Sequence, residues 1–185
     1  MDAATDPENV SSHRIAIIGA GSVGAAVAYA LLLHPVAGTL LIADREDKLR
    51  RAQVQDLSDA AFFGGVEIKE ATNQEAGKAD VIVITAGAKQ RPGESRLDLV
   101  DRNIEILRSI IADMRPINPN AILLIVANPV DILTHFAQVI SALPKTQVIG
   151  SGTFLDSVRL KGMLAKTISV GSEGSERVTR RSIHP

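Results

Sequence analysis

The sequence predicts an α/β fold: a doubly wound parallel sheet with helices on both faces. Three observations carry that expectation. Short, β-branched apolar runs alternate with longer amphipathic segments, the rhythm of βαβ units. Several of the runs are apolar without alternation, as strands covered on both faces must be. A glycine pattern, "GAGSVG", stands where the first strand gives way to the first helix.

The elements follow in order. "RIAIIG" (14–19) reads as the first strand and leads through the glycines into a helix over 22–34, rich in Ala and Leu. "TLLIAD" (39–44) is the second strand, followed by a charged amphipathic helix over 45–60. "VEIKEA" (66–71) alternates, whereas "VIVITAG" (81–87) is apolar throughout. The segment 96–114 repeats apolar residues at helical spacing, and "AILLIVAN" (121–128) returns to the strand type. Pro129 suits the start of a helix over 130–141. "QVIGS" (147–151) is the last strand, and a helix is expected over 153–167. After Val170, "GSEGSERVTRRSIHP" is polar and rich in Gly and Ser, with no apolar run to make another strand. The expected layout is a polar N-terminal tail (1–12), an α/β domain (13–150), the start of a second domain (151–170) and a disordered tail (171–185).

Composition narrows the function. With 185 residues, 45% of them hydrophobic, the chain can bury one substantial core. Aromatics are only 3%, so that core is aliphatic. A net charge of −1 without a basic run argues against nucleic acid as a partner. Apolar stretches fall well short of the roughly 18 residues a membrane span needs, so no membrane partner is expected. The absence of Cys excludes disulfides, thiolate chemistry and zinc–sulfur sites, and no metal is expected. The opening "MDAATDPENVSSH" lacks the basic and apolar parts of a secretory signal, which makes a cytoplasmic location the expectation.

Gly19, Gly21 and Gly24 form a GxGxxG pattern at a strand–helix join. Such a pattern permits a tight turn, lets the backbone approach a pyrophosphate and lets helix and strand pack closely, with the helix amino end facing the anion. About 20 residues on, Asp44 ends the second strand, where its carboxylate can accept from ribose hydroxyls. Read singly, the glycines fit an ordinary turn and Asp44 fits a helix N-cap. Together they point to a Rossmann-type dinucleotide site, and Asp44 favours NAD over NADP by repelling a 2′-phosphate. Arg45 beside it weakens that preference.

The loop "AGAKQRPGESR" (86–96) gathers three cations just past a buried strand, which suits something anionic. With "GAGSVG", Asp44, "AGAKQRPGESRLDLVDRNIEILRSI", "VANPVDILT" and "VIGSGTFLDSVRL", the sequence resembles the lactate/malate dehydrogenase family from about His13 to about Val170. It is most similar to the NAD-dependent L-lactate dehydrogenase branch. The resemblance implies hydride transfer between NAD and a small 2-hydroxy or 2-keto acid, with malate or another 2-hydroxy acid as the alternative substrate.

It also implies roles for single residues. Arg96 matches the loop arginine that polarises the reacting carbonyl. Gln90 matches the position that reads the substrate's far end, where a neutral amide suits the methyl of pyruvate and an arginine would suit a second carboxylate. Asn128 matches a residue beside the nicotinamide and the substrate oxygen, and a cis bond before Pro129 is implied. Val23, Gly87, Ala88, Ser109, Val126 and Ser151 match further cofactor-lining positions. Arg159 matches the arginine that grips the substrate carboxylate through two parallel hydrogen bonds, and Asp156 the residue that orients a catalytic histidine. Without the resemblance, Asp156 and Arg159 are a surface ion pair one helical turn apart. Lys89 and Arg91 read as solvated loop charges, and Pro92 and Gly93 as turn residues.

The family's histidine stands in a "GEHGD"-like segment that this sequence does not contain. His184 lies at about the right distance but in "RRSIHP", which is not strand-like; His13, His34 and His135 read as surface or packing residues. The expectation is a chain without the base and most of the second domain, impaired or inactive alone. Leu155, Val158, Met163, Leu164 and Ile168 would then be partly exposed. The tetramer of the family is implied only weakly, because its surfaces include the second domain.

Overall fold

The computed structural model describes residues 12–34, 36–61 and 65–167. The expectations for 1–11, Ile168, His184 and the tail 171–185 lie outside them. Six strands form one sheet: β1 (Arg14–Ile18), β2 (Thr39–Ala43), β3 (Glu67–Glu70), β4 (Val81–Ile84), β5 (Ile122–Ile125) and β6 (Val148–Gly150). All pairings are parallel, in the order β3-β2-β1-β4-β5-β6. The order reverses beside β1, between the β1–β2 and β4–β5 halves, and ligands of such sheets bind at the carboxyl ends there. Register pairs Ile17 with Ile42 on one side and with Val83 on the other.

Alternation within the apolar strands feeds two cores, because successive side chains point to opposite faces. Ile15, Ile17, Leu40 and Ile42 pack with Ala28, Leu32 and Leu57 of helices α1 (Ser22–Leu33) and α2 (Asp47–Ala60). Ala16, Ile18, Ile82, Ile84, Leu123 and Ile125 pack on the other face. Their cover includes Leu107, Ile111 and Met114 after and within α4 (Arg96–Asp113), and Leu133 and Ala137 of α5 (Val130–Ile140). Each buried Ile or Leu stabilises by about 1.5–3 kcal/mol, which is how a core without Trp holds. At one edge of the sheet, β3 is the strand with the alternating sequence and is mostly exposed.

The strands end earlier than the apolar runs suggest. Ile18 O accepts from both Thr85 N and Ala86 N at 2.9 Å, and Ile84 O accepts from Val126 N at 2.9 Å and Ala127 N at 3.1 Å. One carbonyl serving two successive amides closes the ladder, so 85–87 and 126–128 leave the sheet as loops. The second helix likewise begins at Asp47 rather than 45. A short helix, α3 (Asn73–Ala76), was not expected; Thr72 and Glu75 cap it reciprocally. A 3₁₀ turn (Lys145–Gln147) precedes β6.

The chain divides between Gly150 and Ser151 into two compact units. The first holds the sheet and α1–α5. The second holds α6 (Phe154–Thr167), whose Phe154, Leu155, Val158, Met163 and Leu164 are exposed and whose Ala165 is buried. No helix among the described residues is long and apolar enough to cross a membrane.

Candidate functional site

The three glycines of the first turn have three different physical reasons to be glycine. Gly19 has φ +107°, and a Cβ there would stand 2.6 Å from Ala86 N. A Cβ at Gly24 would collide with the Gly19 carbonyl oxygen, so α1 crosses the turn at backbone distance. At Gly21 nothing lies within 4 Å; φ is −69°, and the position is open. Gly21 is the N-cap of α1 and brings no side chain to occupy the helix's free amides. Gly19 N donates to Ala43 O at 2.8 Å, while Thr85 Oγ1 donates to Gly19 O at 2.8 Å, which pins the turn from β2 and from the end of β4.

Asp44 follows β2. Its Oδ2 accepts from Ala20 N at 2.7 Å and its Oδ1 from Glu46 N at 2.9 Å. The helix N-cap reading of Asp44 is therefore corrected: α2 is capped at Glu46, and Asp44 forms a local turn with Glu46 N while tying β2 to the glycine turn. A carboxylate has about four acceptor positions, so acceptor capacity remains on this half-buried group for hydroxyl donors.

A cleft of about 340 Å³ opens here. Of the sequence candidates, Gly19, Gly21, Asp44, Gly87, Ala88 and Ser109 line it. Leu49, Ile106 and Ile110 give it apolar wall, and Asn73 and Asp113 further polar lining. The size and the mixture are those of a small-molecule site. Val23, Gly24, Val126 and Asn128 do not line it: Gly24 is buried beneath the turn, Val23 is exposed on α1, and Val126 and Asn128 follow β5. Ser151 belongs to the second unit.

The cation loop is built around an anion of its own. Pro92 and Gly93 (φ +79°) occupy the middle of a turn closed by Glu94 N donating to Arg91 O at 3.1 Å. Glu94 Oε2 accepts from Arg91 N at 2.7 Å and from Arg102 Nη2 at 2.9 Å, and the same Arg102 nitrogen donates to Lys89 O at 2.7 Å. Gln90 Nε2 donates to Glu94 O at 2.8 Å. Lys89 and Arg91 are exposed. Arg96 is the first residue of α4, just after its N-cap Ser95. Asp98 closes that cap reciprocally, and the hydrogen bonds from Ser95 hold its carboxyl below the usual carboxylate range.

Asn103, 3% exposed, joins two loops: its Oδ1 accepts from Ala88 N at 2.7 Å and its Nδ2 donates to Asn128 O at 2.9 Å. The Asn128–Pro129 peptide is cis. In the second unit Asp156 Oδ1 and Arg159 Nη1 are 3.3 Å apart, both side chains exposed.

Thr85, Glu94, Arg102 and Asn103 escaped the sequence reading. For Asn103 a signal exists: it shares the face of Leu107, Ile110 and Met114 at helical spacing, so it points inward, and a buried amide needs partners. Ser95–Asp98 and Thr72–Glu75 carry the legible S/T-x-x-acid signature of a cap.

The open rim at Gly21, the uncapped amino end of α1 and the fixed carboxylate of Asp44 fit a dinucleotide. Sheet order and site together define a Rossmann-type nucleotide-binding unit. Residues 13–150 match the family model described as lactate/malate dehydrogenase, NAD binding domain. The chain belongs to that family and carries its NAD binding domain. It is 50% identical over 164 residues to L-lactate dehydrogenase A of Rhizopus oryzae, covering 89% of this chain and 51% of that protein. The minor L-lactate dehydrogenase of Enterococcus mundtii superposes with a TM-score of 0.82 at 33% identity, covering 87% of this chain and 52% of that one. The malate dehydrogenase of Picrophilus torridus gives 0.81 at 34% identity, with the same coverage. The chain spans about half the length of the curated relatives it matches.

Proposed function

We propose that this chain is the cofactor-binding half of an L-lactate dehydrogenase, exchanging hydride between NAD and a small 2-hydroxy or 2-keto acid, lactate and pyruvate. The observation that supports it most is the meeting of the glycine turn and Asp44 at the rim of one cleft. When bound, NAD supplies the hydride acceptor or donor. The amino end of α1 at Gly21 receives the diphosphate, and Asp44 accepts from the ribose hydroxyls and disfavours a 2′-phosphate. Gly87, Ala88 and Ser109 border the nucleotide, with Val23, Val126, Asn128 and Ser151 as the further positions taken from the resemblance.

For the substrate, Arg96 stabilises the charge that grows on the carbonyl oxygen as hydride arrives, and Arg159 holds the carboxylate. Gln90 reads the far end; its neutrality supports pyruvate over a dicarboxylic acid, because an arginine facing a methyl group would be desolvated without a partner. Asp156 orients the proton-transfer group. Among the described residues no histidine lines the cleft. A second reading is a non-catalytic NAD-binding module with the layout 13–150 and 151–170. A cytoplasmic location suits the chain's composition.

Titration with NADH, followed by fluorescence, tests the cofactor half. The wild type binds, and Asp44→Ala weakens binding about tenfold, the equivalent of about 1.4 kcal/mol; an unchanged affinity refutes the role of Asp44. Pyruvate reduction by a chimera supplying a relative's second half separates the readings: the dehydrogenase half turns over there, and the non-catalytic module binds NADH without turnover.

A further inference from the structure

We propose that Arg102 is a positioning residue for Gln90: through Glu94 it clasps residues 89–94 into one preformed turn fixed to α4, and this turn holds the Gln90 amide. The inference rests on the reading of Gln90 given above and names what sets that side chain in place. Arg102 Nη2 reaches both ends of the turn, Lys89 O at 2.7 Å and Glu94 Oε2 at 2.9 Å. The Glu94 carboxylate turns inward to Arg91 N at 2.7 Å, and its backbone carbonyl receives Gln90 Nε2 at 2.8 Å. Arg102, Glu94 and Gln90 thus form a continuous series of hydrogen bonds from helix to loop tip.

The pair is not an ordinary surface contact. Side-chain exposure is 24% for Arg102 and 12% for Glu94, in a loop whose other residues are mostly exposed. Partial desolvation strengthens the attraction and protects it from salt, whereas fully exposed pairs contribute little. The next residue, Asn103, holds Ala88 N from the same helix. Two consecutive residues of α4 therefore fix the loop at Ala88, Lys89 and Glu94, and the Pro92–Gly93 turn completes it without further support. The Arg102 nitrogen Nε is buried without a hydrogen-bond partner among the described residues. Because Nη2 alone makes both contacts, an ammonium group can replace part of them.

Nuclear magnetic resonance on the whole chain tests the clasp without needing turnover. In Arg102→Gln the Gln90 side-chain amide resonances should move to free-amide positions, and exchange of the Arg91 amide should accelerate at least tenfold. Ala88, held by Asn103, should keep its protection, NADH affinity should stay within twofold, and Arg102→Lys should restore part of the Gln90 and Arg91 signals. Unchanged Gln90 and Arg91 signals in Arg102→Gln overturn the proposal. Exchange accelerated along all of α4 also overturns it, because Arg102 then only stabilises the helix. Should Arg102→Gln fail to fold, Glu94→Gln reads the same two signals: their loss supports the clasp and their retention overturns it. A wild type that fails to bind NADH sinks the cofactor reading and leaves these two signals readable.

Discussion

Gly19→Ala and Gly21→Ala differ by two positions in one turn and should have opposite consequences. At Gly19 an alanine must adopt φ +107° and place its Cβ 2.6 Å from Ala86 N and 2.8 Å from Ala86 Cα. A disallowed backbone region costs of order 1–3 kcal/mol and overpacking against a rigid neighbour a further 1–3, so about 2–6 kcal/mol together. The neighbour is backbone, paired to Ile18 O, and it cannot swing aside as a flexible side chain would. For a domain of this size, about 4 kcal/mol lowers Tm by roughly 8–16 °C. At Gly21 the space is open and φ is −69°, so alanine costs about 0.5–1 kcal/mol as a poorer N-cap and regains about 0.4–1 kcal/mol from the unfolded chain. Its effect falls on the ligand, whose diphosphate meets a methyl group where backbone was bare. Urea unfolding followed by circular dichroism, with NADH titration of the same samples, separates the two. Equal unfolding midpoints for Gly19→Ala and wild type, or full NADH affinity in Gly21→Ala, would refute the assignment of roles within the turn.

Three further outcomes are expected. Asn103→Leu removes the buried partner of half-buried Ala88 N and of the carbonyl of exposed Asn128, at about 1 kcal/mol for each hydrogen bond, and should lower the urea midpoint; unchanged stability would show that water replaces the amide. Glu75 and Asp98 both have lowered carboxyl pKa values, Glu75 from its usual 4.5 through the Thr72 backbone and side chain, Asp98 from 3.8 through Ser95. Their stabilisation is complete above those usual values and is lost as pH falls through the lower folded ones, so a Thr72→Ala, Ser95→Ala chain should show a shallower acid limb in its stability profile. In a chimera supplying a relative's second half, Gln90→Arg should shift kcat/KM from pyruvate towards oxaloacetate, and no shift would count against Gln90 as the selector.

The sheet was legible because burial on both faces leaves strands no choice but unbroken apolar residues, as in "IAII" and "VIVI". Helix α3 was not, since four residues are too few to show a helical period and only the Thr72–Glu75 cap marks it. Strand ends were read too long because Ile18 and Ile84 end the ladder by accepting from two amides each, which depends on neighbouring strands and leaves hydrophobicity unchanged. In the loop, charge alone suggested three cations awaiting an anion. In the structure Glu94 sits among them, accepting from Arg91 N and from Arg102 of the helix beyond.

By itself the sequence determined the order of the strands and the long helices, the glycine turn and the carboxylate at the end of the second strand, all set by local rules of burial period and backbone freedom. The tertiary structure alone decided which of these meet. Asp44 reaches Ala20 N, Thr85 the Gly19 carbonyl, and Asn103 both Ala88 and Asn128. Those partners are far apart along the chain, and hydrogen bonds between them exist only once parallel pairing and the packing of α4 have brought the strand ends together.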